Sequence, residues 1–89
     1  MIDDPFRNTA DSPMAPAEDC FAILPSDNGD LARSPKAIFV GEGGDIVLRP
    51  LKGETDVTFR NLASGSVLEV RVRAIRATGT TAASIIGLA

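Results

Sequence analysis

The stretch "VLEVRVRAIRATGTTAASIIGLA", residues 67–89, decides the fold class. In an extended chain Leu68, Val70, Val72 and Ala74 share one face, with Glu69, Arg71 and Arg73 opposite. After Ala74 the phase inverts, because Ile75 and Ala77 are apolar and Arg76 between them is charged. A regular strand alternates with period two and cannot change face, so a β-bulge is predicted near Ala74-Ile75. Thr78 to Thr81, with Gly79 inside, predicts a turn into a last strand. In that strand, "AASIIGLA", both faces are apolar and only Ser84 interrupts. Burying both faces requires cover on both sides, and no helix is available to supply a second layer. The spare face is therefore expected to meet another copy or another protein, with Ile85, Ile86 and Leu88 as candidate interface residues. The alternative is a terminal strand lying between two sheets of the same chain.

Upstream, short apolar runs are separated by turn chemistry. Cys20 to Leu24 is a first strand, stopped by Pro25, and residues 26–35 form a loop. "KAIFVG" (36–41) is a second strand, and Gly43-Gly44-Asp45 predicts a tight hairpin into "DIVLRPL". Pro50 has no N–H for a ladder, so the third strand should end there or lie on an edge. In "DVTFRNL" Val57 and Phe59 face one way and Thr58 and Arg60 the other, before "ASGS" closes the strand. No window of eleven or more residues has a helical period free of Gly or Pro. The predicted fold is all-β, a small antiparallel β-sandwich or barrel of about six to eight short strands.

Residues 1–18 hold Pro5, Pro13 and Pro16 among acidic and small polar residues, which predicts an extended or disordered arm ahead of a β-domain at 19–89. Phe6 and Met14 are its candidate anchors for docking on a partner. Residues 1–30 carry seven acids against Arg7, and residues 31–89 carry eight bases against five acids, so an acidic leader precedes a mildly basic body. Neither a signal-peptide pattern nor an apolar run of about 20 residues is present, so cytoplasmic synthesis without membrane insertion is expected.

Composition restricts the chemistry. The chain has one cysteine, no histidine, no tyrosine and no tryptophan. An intrachain disulfide, a zinc site of the usual ligands and Ser/His/Asp or Cys/His catalytic sets are all excluded. "DNGD" lacks the ligand pattern of a calcium loop, and no helix or Lys-Ser/Thr follows "GEGGD" as a phosphate loop requires. No cofactor and no enzymatic activity are expected. Arg71, Arg73 and Arg76 could form a nucleic-acid stripe, but no aromatic platform accompanies them and the chain is acidic overall. They are assigned instead to a solvated face or to pairing with carboxylates of a neighbouring copy. With so few aromatics the core is small, and oligomerisation is the remaining way to stabilise it.

"AIFVGEGGDIVL" (37–48), Val57 to Leu62 with Gly65, and above all "VRVRAIRATGTT" (70–81) with its apolar end resemble a known family. They are similar to the small head-spike base proteins of alphaproteobacterial gene transfer agents and related prophages. The lead-in "CFAILPSDNGDLARSPKAIFVG" (20–41) resembles the same family, so about residues 19–89 are covered. Pro50-Leu51-Lys52 departs from the short polar turn expected there. The resemblance implies an oligomeric structural protein of a phage-like particle head, attaching a receptor-binding spike or fibre to a capsid vertex. A fivefold vertex implies a pentamer, with the capsid protein and the spike or fibre protein as partners. The alternative of a different class is a small β-domain that itself binds cell-surface polysaccharide, although no Trp or Tyr is present to stack on a sugar.

Overall fold

The computed structural model describes residues 16–89. Seven strands lie in this region: β1 (Cys20–Ala22), β2 (Ala37–Glu42), β3 (Gly44–Pro50), β4 (Val57–Leu62), β5 (Ser66–Leu68), β6 (Val72–Ile75) and β7 (Ala83–Leu88). They form two antiparallel sheets, one in the order β1-β7-β2-β5 and one in the order β4-β3-β6. Ile38, Val40 and Ile85 of the first sheet and Ile46, Leu48, Val72 and Ile75 of the second are buried in one cluster. The molecule is thus an all-β sandwich whose core is almost entirely Ile, Val and Leu, the residues that suit a pleated, half-buried surface.

Among the described residues only β3 and β4 make a sequential hairpin, through the turn that follows Pro50. β3 does end at Pro50, as a residue without an N–H dictates. The Gly43-Gly44 segment is not the predicted hairpin: β2 and β3 belong to different sheets, and the chain turns a corner there. Gly44 has φ 154°, and a Cβ on it would lie 2.6 Å from Thr81 Oγ1 and 2.9 Å from the Ala82 nitrogen. The close passage of residues 81–82 sets the corner.

The predicted single strand over residues 68–74 is also divided. β5 pairs with β2 and β6 pairs with β3, so residues 69–71 cross from one sheet to the other. The register does slip, but earlier than Ala74-Ile75: Arg49 opposes Ala74 while Pro50 opposes Val72, leaving Arg73 as the extra residue. The slip puts Val72 and Ile75 together on the core face, because their partners Pro50 and Leu48 share a face.

Residues 76–82 then run beside β3 without forming a strand. Arg76 N–H donates to Val47 O at 2.8 Å, Val47 N–H to Thr80 Oγ1 at 3.0 Å, and Thr81 N–H to Asp45 O at 2.8 Å. Threonine hydroxyls thus replace backbone groups in a ladder, which explains a Thr-rich turn at this point. The free edge of β6 is closed by the loop ahead of β2. Ser26 N–H and Leu31 N–H donate to the carbonyls of Ile75 and Arg73, and Ser34 Oγ–H to that of Val72. A covered edge cannot recruit a foreign strand.

Candidate functional site

The two outward faces of the sandwich differ in kind. On the four-stranded sheet, Ala22 opposes Ile86, Ile86 opposes Phe39, and Phe39 opposes Val67. These four residues make a continuous apolar row across all four strands, on the side away from the core residues Ile85 and Val40. A second row places Leu88 between Cys20 and Ala37. Gly41 and Ser84 end the face. Ser84 takes a left-handed φ of 55°, and a Cβ on Gly41 would meet Ser84 Cβ at 2.6 Å. No Asp, Lys or Arg stands on β1, β2, β5 or β7, and charge enters only at the end of the face, where the Glu42 carboxylate accepts from Ser84 Oγ at 3.2 Å. Val67 is 50% exposed, and Phe39, Ile86 and Leu88 are half-buried. An outward antiparallel face normally carries polar residues in alternation with the core. This one does not.

The space beneath that face is filled from within. Gly87 lies opposite Phe21 and Ile38, and a Cβ on it would meet the Phe21 ring at 2.7 Å. The phenyl ring takes the volume that a side chain at Gly87 would need. The Arg33 guanidinium lies 5.6 Å from the centre of the same ring and pairs with Asp19. That bond, with Cys20 N–H second, holds the Asp19 carboxyl below its ordinary value.

The three-stranded sheet faces outward with charge. Asp56 accepts from Arg49 Nε at 2.9 Å and from Arg76 Nε at 3.3 Å. Arg76 Nη1 also reaches Gly29 O at 3.4 Å, and Arg73 Nε lies 3.5 Å from Asp30. Arg60 pairs with Asp45 at 3.4 Å. Asp27 accepts from Thr78 through both its hydroxyl and its N–H, and these bonds, the hydroxyl first, hold its carboxyl below the ordinary value.

The residues singled out from sequence therefore separate. Ile85 is 3% exposed and belongs to this chain's own core, whereas Ile86 and Leu88 lie on the apolar outer face. Arg73 and Arg76 sit on the other sheet against carboxylates of the same chain, and the Arg71 carbonyl accepts Leu51 N–H in the crossing between sheets. Phe6 and Met14 lie outside the described residues. Sequence reasoning missed Phe39, Val67 and Ala22. The signal was present in "KAIFVG", where Ala37 and Phe39 alternate with the buried Ile38 and Val40, so that β2 is apolar on both faces as β7 is. Among the described residues no group of three or more Cys, Asp or Glu is arranged to hold a metal.

No protein-family model matches the chain, and no curated protein matches it. A solved structure does. The chain is 42% identical to a chain of the capsid of a native gene transfer agent particle computed with C5 symmetry, with a TM-score of 0.81. The likeness covers 97% of this chain and 99% of that one.

Proposed function

This chain belongs to the family of that gene transfer agent capsid chain, and from this premise we propose that it is a non-enzymatic head-spike base. In this role it joins a capsid vertex to a receptor-binding spike or fibre. The observation that carries the proposal is the 42% identity over nearly the whole of both chains.

Three features support the spike-base role. The resemblance of residues 37–48 and 70–81 to spike-base proteins lies in the segments that build the sandwich corner and the Thr-rich crossing beside β3. The fivefold symmetry in which the related capsid was computed suits a pentamer at a vertex. The small core, whose largest fully buried side chains are Ile, Leu, Val and Pro, suits a subunit stabilised by neighbours. The chemistry asked of such a protein is attachment, and the apolar outer face is the surface suited to it.

Purified particles from the producing bacterium test the proposal. Mass spectrometry should find this chain in them, and image reconstruction should place it at the fivefold vertices beneath a spike. Its absence from the particles would overturn the structural role. Its presence elsewhere in the capsid would overturn the spike-base role and leave the structural role intact.

A further inference from the structure

We infer that Asn28 is a site of spontaneous deamidation, with the backbone nitrogen of Gly29 as nucleophile and water as co-reactant. Its isoaspartate product loosens the loop that closes the β6 edge. The inference is independent of the particle role.

The chain has three asparagines, Asn8, Asn28 and Asn61, and no glutamine. Asn8 lies outside the described residues. Asn28 and Asn61 are both exposed, so the nitrogen that follows each one decides between them. After Asn61 comes Leu62, a β4 residue paired with Gly44. Asn61 itself is held at a φ of 57°, its N–H donating to Asp45 Oδ1 at 3.0 Å. After Asn28 comes Gly29, exposed and outside any strand, where an added Cβ would meet nothing within 4 Å. Among the described residues no carbonyl or side chain accepts the Gly29 N–H. A glycine leaves its own nitrogen open to the preceding side chain as no other residue does.

The charges around this amide favour the step. Asp27 is engaged by Thr78 and Ala77, and Asp30 lies 3.5 Å from Arg73 Nε, so the flanking carboxylates are already answered. Arg76 Nη1 donates to Gly29 O at 3.4 Å, which sets a cation beside the residue whose nitrogen must lose a proton.

The reaction balances without a redox partner. The Gly29 nitrogen gives its proton to solvent, and its electron pair attacks Asn28 Cγ. The bond from Cγ to Nδ2 breaks, and ammonia leaves with a proton taken from solvent. Water then opens the succinimide at Cγ to give aspartate, or at the main-chain carbonyl carbon to give isoaspartate. One water is consumed and one ammonia released. Both products carry a carboxylate in place of a neutral amide, and the isoaspartate backbone is longer by one methylene.

That methylene falls inside a span pinned at both ends. Ser26 N–H donates to Ile75 O at 2.8 Å and Leu31 N–H to Arg73 O at 2.7 Å. A longer, kinked backbone between them strains both bonds, and a carbonyl released on β6 is open to a foreign strand.

The test incubates the purified full-length chain in mildly alkaline buffer, folded and separately unfolded in urea. Peptide fragmentation by mass spectrometry locates the converted residue, and an isoaspartyl methyltransferase labels isoaspartate. Conversion at Asn28 in the folded chain is expected within about tenfold of the unfolded rate, since mobile loops open at almost no free-energy cost. Asn61 should convert more slowly. Gly29→Ala, whose methyl group crowds the nitrogen, should slow conversion about tenfold. Protection by the fold far beyond tenfold, faster reaction at Asn61, or an unchanged rate in Gly29→Ala overturns the inference. Hydrogen exchange reads the effect on the edge. The Leu31 amide should exchange faster in the isoaspartate form than in Asn28→Asp, which has the same charge and an ordinary backbone. Equal exchange overturns the loosening of the loop.

Discussion

The carboxylate of Asp27 holds Thr78 twice: Oδ2 accepts the hydroxyl at 2.7 Å and Oδ1 accepts the backbone N–H at 2.9 Å. Ala77 N–H reaches the same Oδ1 at 3.0 Å. One side chain thereby pins the loop after β1 to the turn that leads into β7. A carboxyl group held below its unfolded value of about 3.9 stabilises the fold fully above that value. As pH falls through the interval between the two values the contribution fades, and it is gone below the folded value. The melting temperature should therefore decline on acidification below about pH 4. Asp19, lowered in the same direction by Arg33, adds to the decline. Asp27→Asn should lower the melting temperature at neutral pH and flatten part of the acid slope. Thermal melts across the range check this, and an unchanged slope in the variant would refute it.

Ile85 and Ile86 are adjacent in sequence and opposite in fate. Ile85→Ala removes atoms from a buried cluster and should cost about 2–5 kcal/mol. Against a total stability of about 5 kcal/mol for a domain this small, that change unfolds much of the population. Ile86→Ala trims a half-buried residue on the outer face and should cost about 1 kcal/mol. Urea denaturation of the two variants separates them. Equal losses would mean that β7 is enclosed on both sides within one subunit.

Strand positions were legible from alternation and turn residues, because both are local. Sheet membership was not. Gly43-Gly44 suits a hairpin or a corner equally, and the choice is made by Thr81 and Ala82, distant in sequence. "VLEVRVRAI" reads as one strand by alternation, yet its two ends pair with β2 and β3 in different sheets. The doubly apolar β7 was visible as an oddity. That Ile86 lies beside Phe39, and Phe39 beside Val67, depends on lateral register, which one-dimensional periodicity does not contain.

The corner at Gly44 makes a sharp prediction. Gly44→Ala would place a methyl group 2.6 Å from Thr81 Oγ1 and 2.9 Å from the Ala82 nitrogen at a φ that L-residues rarely adopt. The segment at 81–82 must move, breaking the bonds that Thr81 and Ala82 N–H donate to Asp45 O. A loss of about 2–3 kcal/mol is expected, combining strain with broken hydrogen bonds. Gly29→Ala, where a Cβ meets nothing within 4 Å, is the control and should be close to neutral. Comparable melting temperatures for the two variants would refute the corner's role.

Arg73 and Arg76 face Asp30 and Asp56 of their own chain, so their charges are locally answered. Single-stranded oligonucleotides should show no binding at physiological salt, in which only uncompensated cations gain from counterion release. Fluorescence anisotropy with a labelled oligonucleotide checks this. Salt-sensitive binding that is lost when Arg71, Arg73 and Arg76 are changed to Ser would overturn it.

Asp56 sits between Arg49 and Arg76, at 2.9 Å from one Nε and 3.3 Å from the other. Asp56→Ala deletes two ion pairs and leaves two guanidinium groups side by side without an anion. The pairs are only partly sheltered, with Arg76 14% and Asp56 34% exposed, so solvent screens them and the cost should be about 1 kcal/mol. Added sodium chloride should shrink that cost, since the repulsion between the two arginines is screened as the Debye length falls. Asp19→Ala should cost less, because both members of the Asp19–Arg33 pair are more than half exposed. Urea melts at low and high salt measure the difference without adding ionic strength from the denaturant. A cost for Asp56→Ala that does not respond to salt would mean that Asp56 acts through packing, and the paired-charge account of this face would fall.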